Sequence, residues 1–202
     1  MPTTSFVTDA ELTAWINEGA QRLHEKLVDA MGEEYVSSST AFTTVAGQSD
    51  YALPTTFLKL YGVDLNVGGV NKALRPYMRA ERGAYRDDQL GMNRAPRYSL
   101  VGSNLRLYPV PSGGLTGAIL YAPVFTLLSS GSDTCNFPNG WERYVVLYAA
   151  IQATIKEESS PSALMAVLEK EEADLDKFKM ERDLAAPKQV VDLDIADFDW
   201  LY

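Results

Sequence analysis

The chain has one cysteine, Cys135, and one histidine, His24, among 202 residues. A single thiol cannot close an internal disulfide, so the fold does not rely on an oxidising compartment. One imidazole and one thiol also cannot assemble, within one chain, a zinc ligand set, a Ser–His–Asp triad or a Cys–His pair. His24 is expected on the polar side of an N-terminal helix beside Glu25, as a solvated residue and not as a general base. Basic residues are scarce too: 18 Lys and Arg stand against 27 Asp and Glu, for a formal charge of −9. That balance argues against a protein that coats nucleic acid, because phosphate binding is driven by clustered Lys and Arg. No window of about 18 apolar residues occurs, and the opening MPTTSFVTDAE lacks a basic region followed by an apolar run, so neither a membrane span nor an export signal is expected.

Phosphate cradles and acidic sites are also missing. Gly113 and Gly114 lack the Lys and Ser/Thr of a P-loop, and the glycine pair at Gly68 fits a turn better than a dinucleotide fingerprint. Two carboxylates can hydrolyse glycosides or hold a divalent cation without histidine. Asp87 and Asp88, however, are adjacent and diverge in a loop, and Asp192, Asp194, Asp197 and Asp199 lack the glycine-containing spacing of an EF-hand. These read as solvated charge. No catalytic residue, cofactor or metal is therefore expected, and a carboxylate-based hydrolase is the weakest of three readings.

What is present is apolar material at 46% of the residues, enough for one core or a core with a satellite. Thr8 and Glu11 form a capping-box signature, followed at helical spacing by Leu12, Trp15, Ile16, Leu23, Leu27 and Met31, with Gly32 as the stop. From about Ala41 to Phe125 the period changes to two and turn residues recur. AFTTV and DYALP around AGQS predict one hairpin, LKLYGVDLNV and KALRPY around a glycine turn a second, and RYSLVGSNLRLYPV a third; GAILYAPVF adds one more strand. Pro54, Pro109, Pro111 and Pro123 fall at strand ends. Asn139 with Glu142 predicts a second capping box, opening a helix whose apolar residues include Trp141, Tyr144, Val145, Tyr148 and Ile151. Pro161 occupies the first turn of a third helix with a stripe of Leu164, Val167, Leu168, Leu175 and Phe178.

The expectation is an α+β protein: a three-helix antiparallel bundle with an inserted antiparallel β-rich block and an extended C-terminal tail. Residues 1–40 hold the first helix, 41–137 the β-rich insertion, 138–186 the C-terminal helical pair and 187–202 the tail.

Two stretches carry candidate binding residues. In the tail, Val191, Leu193 and Ile195 alternate with Asp192 and Asp194, and Phe198, Trp200, Leu201 and Tyr202 follow. An extended segment of this kind gains stability by adding to a sheet edge or filling a groove on a partner; packing back on its own domain is the other possibility. The second stretch is a basic cluster, Lys72, Arg75, Arg79, Arg82, Arg86, Arg94 and Arg97, interleaved with Tyr77, Tyr85 and Tyr98. It suits phosphates and stacked bases, or an acidic face on another subunit. The protein interface is favoured, because the chain as a whole repels a polyanion.

In the order DYALPTTFLKLYGV, RYSLVGSNLRLYPVPSGG, GAILYAPVF and GWERYVVLYAAIQATIKEE, over residues 8 to 185, the chain resembles the head-to-tail adaptor (head-completion or connector) proteins of tailed bacteriophages. The resemblance implies a helical core with a β insertion, and assembly into a ring, usually of about twelve subunits, beneath the portal vertex. It implies as partners the portal protein, tail or nozzle proteins, further copies of the chain and DNA in transient passage, with no membrane, and a place in the virion neck after assembly in the host cytoplasm. C-terminal segments in such proteins extend onto the portal, which gives the tail a task. The rival from another class is a nucleic-acid-binding regulator that uses the Arg and Tyr residues at 72–98.

Overall fold

The computed structural model describes residues 6–80, 96–111, 113–135 and 137–181. Within these the chain forms two compact units, a helical one from residues 6–36 and 124–181 and a β unit from residues 37–123.

In the helical unit, α1 (Asp9–Met31) begins with the expected capping box. Thr8 Oγ1 accepts the Glu11 N–H at 3.3 Å, and the Glu11 carboxylate accepts the Thr8 N–H at 3.0 Å, so two donors left orphaned at the helix start find partners. Gly32, with φ of 58°, ends the helix and donates its N–H to the Val28 carbonyl. The chain continues through a 3-10 turn, Gly32–Glu34.

Helix α2 (Glu142–Lys156) starts differently from the expectation. Pro138–Gly140 form a 3-10 turn, Trp141 takes the N-cap without a side-chain cap, and the Glu142 carboxylate accepts the Phe137 N–H at 3.2 Å. Gly140 with φ of 76° breaks the helical path after Asn139, so the reciprocal partner of Glu142 lies five residues upstream and not three. For α3 (Ser162–Glu181), the Pro161 carbonyl accepts the Met165 N–H at 2.9 Å; a proline just ahead of the first turn sacrifices no helical hydrogen bond.

The three-helix antiparallel bundle expected from the sequence is not what forms. The described residues include one helix of 23 residues and two shorter ones of 15 and 20 in one unit, and two four-stranded sheets in the other, so the description that holds is α+β. The reason is visible in the burial. Of the α3 stripe only Leu175 is buried, at 4% exposure, and the helical core of Ala20, Leu23, Leu27, Tyr144 and Val145 is closed by Phe137, Phe125 and Cys135 from non-helical chain. The β-rich part is not wholly antiparallel either, because one of its strand pairs runs parallel.

His24 also departs from expectation. It is 5% exposed, shares a 3.1 Å hydrogen bond through Nδ1 with the Tyr35 hydroxyl, and packs against the rings of Tyr35 and Phe125. The 3-10 turn and the chain after Pro123 cover a side of α1 that its own periodicity leaves open.

Among its described residues the β unit has eight strands: β1 (Ser38–Thr43), β2 (Asp50–Ala52), β3 (Phe57–Val67), β4 (Val70–Ala73), β5 (Arg75–Pro76), β6 (Arg97–Val101), β7 (Asn104–Tyr108) and β8 (Thr116–Pro123). They make two sheets, ordered β1-β8-β3-β4 and β2-β7-β6-β5. Alternate residues of both sheets, among them Val63, Leu65, Leu105, Leu107, Ile119 and Tyr121, meet in one core, as the two-residue side-chain period of strands requires. The β3–β4 hairpin turns at Gly68 and Gly69, both at positive φ, and β6–β7 turns at Gly102 and Ser103, so two of the three expected hairpins form. The first does not. β1 pairs with β8, and β2 pairs with β7 in the other sheet. The connecting turn is local, with Gln48 N–H on the Val45 carbonyl, but Thr44 is bound on both sides to the 114–115 chain and Tyr51 Oη clasps the loop at Val45 and Gln48. The loop thus carries the chain between sheets.

Candidate interface surfaces

Of the described part of the basic cluster, Lys72 lies on β4 in the other sheet, whereas Arg75 and Arg97 lie on the β2-β7-β6-β5 sheet. Arg75 and Pro76 pair in parallel with Arg97 and Tyr98, and the Tyr77 N–H extends the ladder onto the Tyr98 carbonyl at 2.6 Å. This brings the Tyr77 ring over that of Tyr108, with centroids 4.1 Å apart and planes within 16° of parallel. Such stacking fixes both rings before any partner arrives. Arg106 makes a two-pronged contact with Asp50, from Nε at 2.6 Å and from an Nη at 2.8 Å. The hydrogen bond from Arg106 holds the Asp50 carboxyl below its ordinary range, and the same contact raises the guanidinium above its own. Arg97 is buried at 9% exposure, and burial raises the Tyr98 phenol. Arg79 is exposed at the end of this described segment. Arg82, Arg86, Arg94 and Tyr85 lie outside the described residues, as do Val191, Leu193, Ile195, Phe198, Trp200, Leu201 and Tyr202 of the tail. The sequence therefore pointed to Arg75, Tyr77, Arg97 and Tyr98, which the fold does bring together, and missed Tyr108, Arg106 and Asp50, whose role depends on strand register.

A second surface was not foreseen. Leu12 and Ile16 of α1, Thr134 and Cys135 ahead of α2, and Glu142, Val145, Val146, Ala149, Ala150 and Ala153 of α2 line an apolar groove of about 550 Å³. Leu12 is 41% and Val146 66% exposed there, so large apolar side chains face solvent along it. Burial raises the Cys135 thiol, with the Glu142 charge acting in the same direction, so a smaller share of it is thiolate than at an open site. The signal in the sequence was three alanines at Ala149, Ala150 and Ala153, too short to reach across to α1.

The groove is framed by polar ties between helices. Lys156 Nζ lies 2.6 and 2.7 Å from the two Glu11 carboxylate oxygens and donates to the Phe6 carbonyl at 2.8 Å. Those contacts, Lys156 first and then the Thr8 donors, hold Glu11 down at about 2. Tyr148 donates to Glu18, which also pairs with Arg22 at 2.9 Å, and Tyr144 donates to Glu172 at 3.1 Å. Among the described residues no group of three His, Cys, Asp or Glu stands close enough to hold a metal ion, and no helix is long and apolar enough to cross a membrane.

A family model described as SU10 adaptor protein matches residues 2–191. No curated protein matches the chain. The chain belongs to the SU10 adaptor proteins, a family of tailed-phage head-to-tail adaptors, and is thereby a structural component of the virion at the junction where capsid and portal meet the tail.

Proposed function

We propose that the chain is a ring-forming adaptor, present in about twelve copies, that connects the portal vertex to tail or nozzle proteins and leaves a channel for DNA. In this reading the surface around Arg75, Tyr77 and Arg79, continued by Arg82, Tyr85 and Arg86, meets the neighbouring subunit. The C-terminal residues Val191, Leu193, Ile195, Phe198, Trp200, Leu201 and Tyr202 anchor the subunit on the portal, as large aromatic side chains do at interface centres. Assembly takes place in the host cytoplasm.

The observation that carries the interface reading is the Tyr77–Tyr108 stack beside the Arg106–Asp50 pair. A phosphate-binding surface needs cationic heads turned to the ligand. Here Arg106 is neutralised by Asp50 and Arg97 is buried, which supports a preformed polar and aromatic contact for protein over one for nucleic acid. The charge of −9 supports a channel role, since an acidic wall lets DNA pass without holding it.

The test is electron microscopy of the protein mixed with isolated portals, scored for an added ring of density. Removal of residues 187–202 is expected to leave a folded protein that no longer decorates portals; undiminished decoration overturns the anchoring role. Arg75→Glu with Arg79→Glu is expected to remove ring closure while single subunits still bind.

A further inference from the structure

The groove between α1 and α2 has no part in that reading, yet it leaves apolar surface open to water. Its walls offer almost no polar recognition: Glu142 already accepts the Phe137 N–H, and Thr134 supplies the lone hydroxyl. A small polar ligand has little to hold there, whereas apolar side chains of a peptide need only space. Along α2 the lining runs from Glu142 to Ala153, about 17 Å at the helical rise, which roughly five extended residues span.

The chain carries a matching segment close by. The Phe178 ring lies 6.3 Å from that of Trp141, so the last turn of α3 ends beside Glu142, the start of the groove. From Glu181 ten residues lead to Val191, a reach of about 33 Å, which is ample for entry into the groove. In Val191 to Ile195 the apolar residues alternate with Asp192 and Asp194, so one side of an extended chain is apolar while the carboxylates face water. A short flexible tether puts such a segment at an effective concentration of about millimolar, above that of any free copy in a dilute solution.

We propose that in the free subunit this groove is the seat of the chain's own C-terminal segment Val191 to Ile195, and is vacated when the tail engages its partner. The proposal rests on the tail being the partner-binding element. Its experiment uses the isolated protein and no portal, so the two ideas fail separately.

Cys135 lines the groove and is the sole native thiol, so full-length Val191→Cys, Leu193→Cys and Ile195→Cys variants report occupancy under mild oxidation. At least one is expected to form a disulfide within the monomer at a rate unchanged by dilution. Val146→Asp, on the exposed wall, is expected to slow that reaction by about tenfold without touching the core. In the otherwise native chain, Val146→Asp is expected to speed alkylation of Cys135 by at least about threefold, as is Leu193→Ser with Ile195→Ser. Disulfide-linked dimers whose yield falls on dilution would assign the groove to a second copy and overturn the proposal. No disulfide in any of the three variants, or alkylation rates equal throughout, overturns it as well.

Discussion

Gly117 sits on β8 between β1 and β3, and a methyl group there would lie 2.8 Å from the Asp64 carbonyl oxygen and 2.5 Å from Cζ of Phe42. A backbone oxygen cannot swing aside as a side chain does, so Gly117→Ala is expected to cost about 1–3 kcal/mol in urea unfolding. Unchanged stability would mean that the strands slide apart freely. In the helical unit, the ordinary carboxyl value of Glu11, 4.5, falls to about 2 in the fold. A depressed carboxylate contributes stability in full above its ordinary value, and that contribution is lost as pH falls through the folded value. Glu11→Gln is therefore expected to lower the melting temperature at pH 7, with the gap to the parent protein closing between pH 4.5 and 2. A gap that persists at pH 2 would assign the effect to packing. Residue by residue, the capping box at Thr8 was legible because cap and partner lie three positions apart. The burial of His24 was not, since Tyr35 and Phe125 cover it from outside its helix.

Elements divide in the same way. The β3–β4 and β6–β7 hairpins can be read from the sequence because a glycine turn fixes both partner and register. The pairing of β1 with β8 cannot, because Ser38 and Tyr121 are distant in sequence and the turn at 45–48 looks the same whichever sheets its flanking strands join. The helices were placed by their spacing, but not their assembly: α3 carries an apolar stripe that the fold buries only at Leu175. The same distinction governs the two surfaces. The Arg and Tyr residues stood out by composition, whereas the α1–α2 groove is made by what alanine lacks, and it exists only once α1 lies opposite. β7 is where both kinds of information meet, since Leu105 is 0% exposed and its strand lies between β2 and β6. Leu105→Ala leaves a cavity in the shared core of both sheets and is expected to destabilise by about 2–5 kcal/mol, measured by chemical denaturation. A loss under about 0.5 kcal/mol, the range of surface substitutions, would show that the two sheets are not tightly packed there.

At the scale of the molecule, the way the chain enters and leaves the β unit has a consequence for folding. Ser38 pairs with Tyr121 across the β1–β8 ladder, so the first and last strands of residues 37–123 are hydrogen-bonded neighbours. The unit has its own core of Leu65, Leu105, Leu107, Ile119 and other residues from both sheets, none contributed by the helices. A segment with adjacent ends and a complete core meets the physical conditions for folding alone. Residues 37–123, expressed as a separate polypeptide, are expected to show a β-type circular dichroism spectrum and a single cooperative unfolding transition. Gly117→Ala should lower that transition by about the same free energy in the fragment as in the whole protein, within about 0.5 kcal/mol, because the nearest atoms the new methyl meets, in Phe42 and Asp64, lie inside the unit. A fragment that is unfolded, or one in which the substitution costs far less than in the full chain, would mean that the β unit draws its stability from the helical unit. The adaptor would then unfold as one cooperative body.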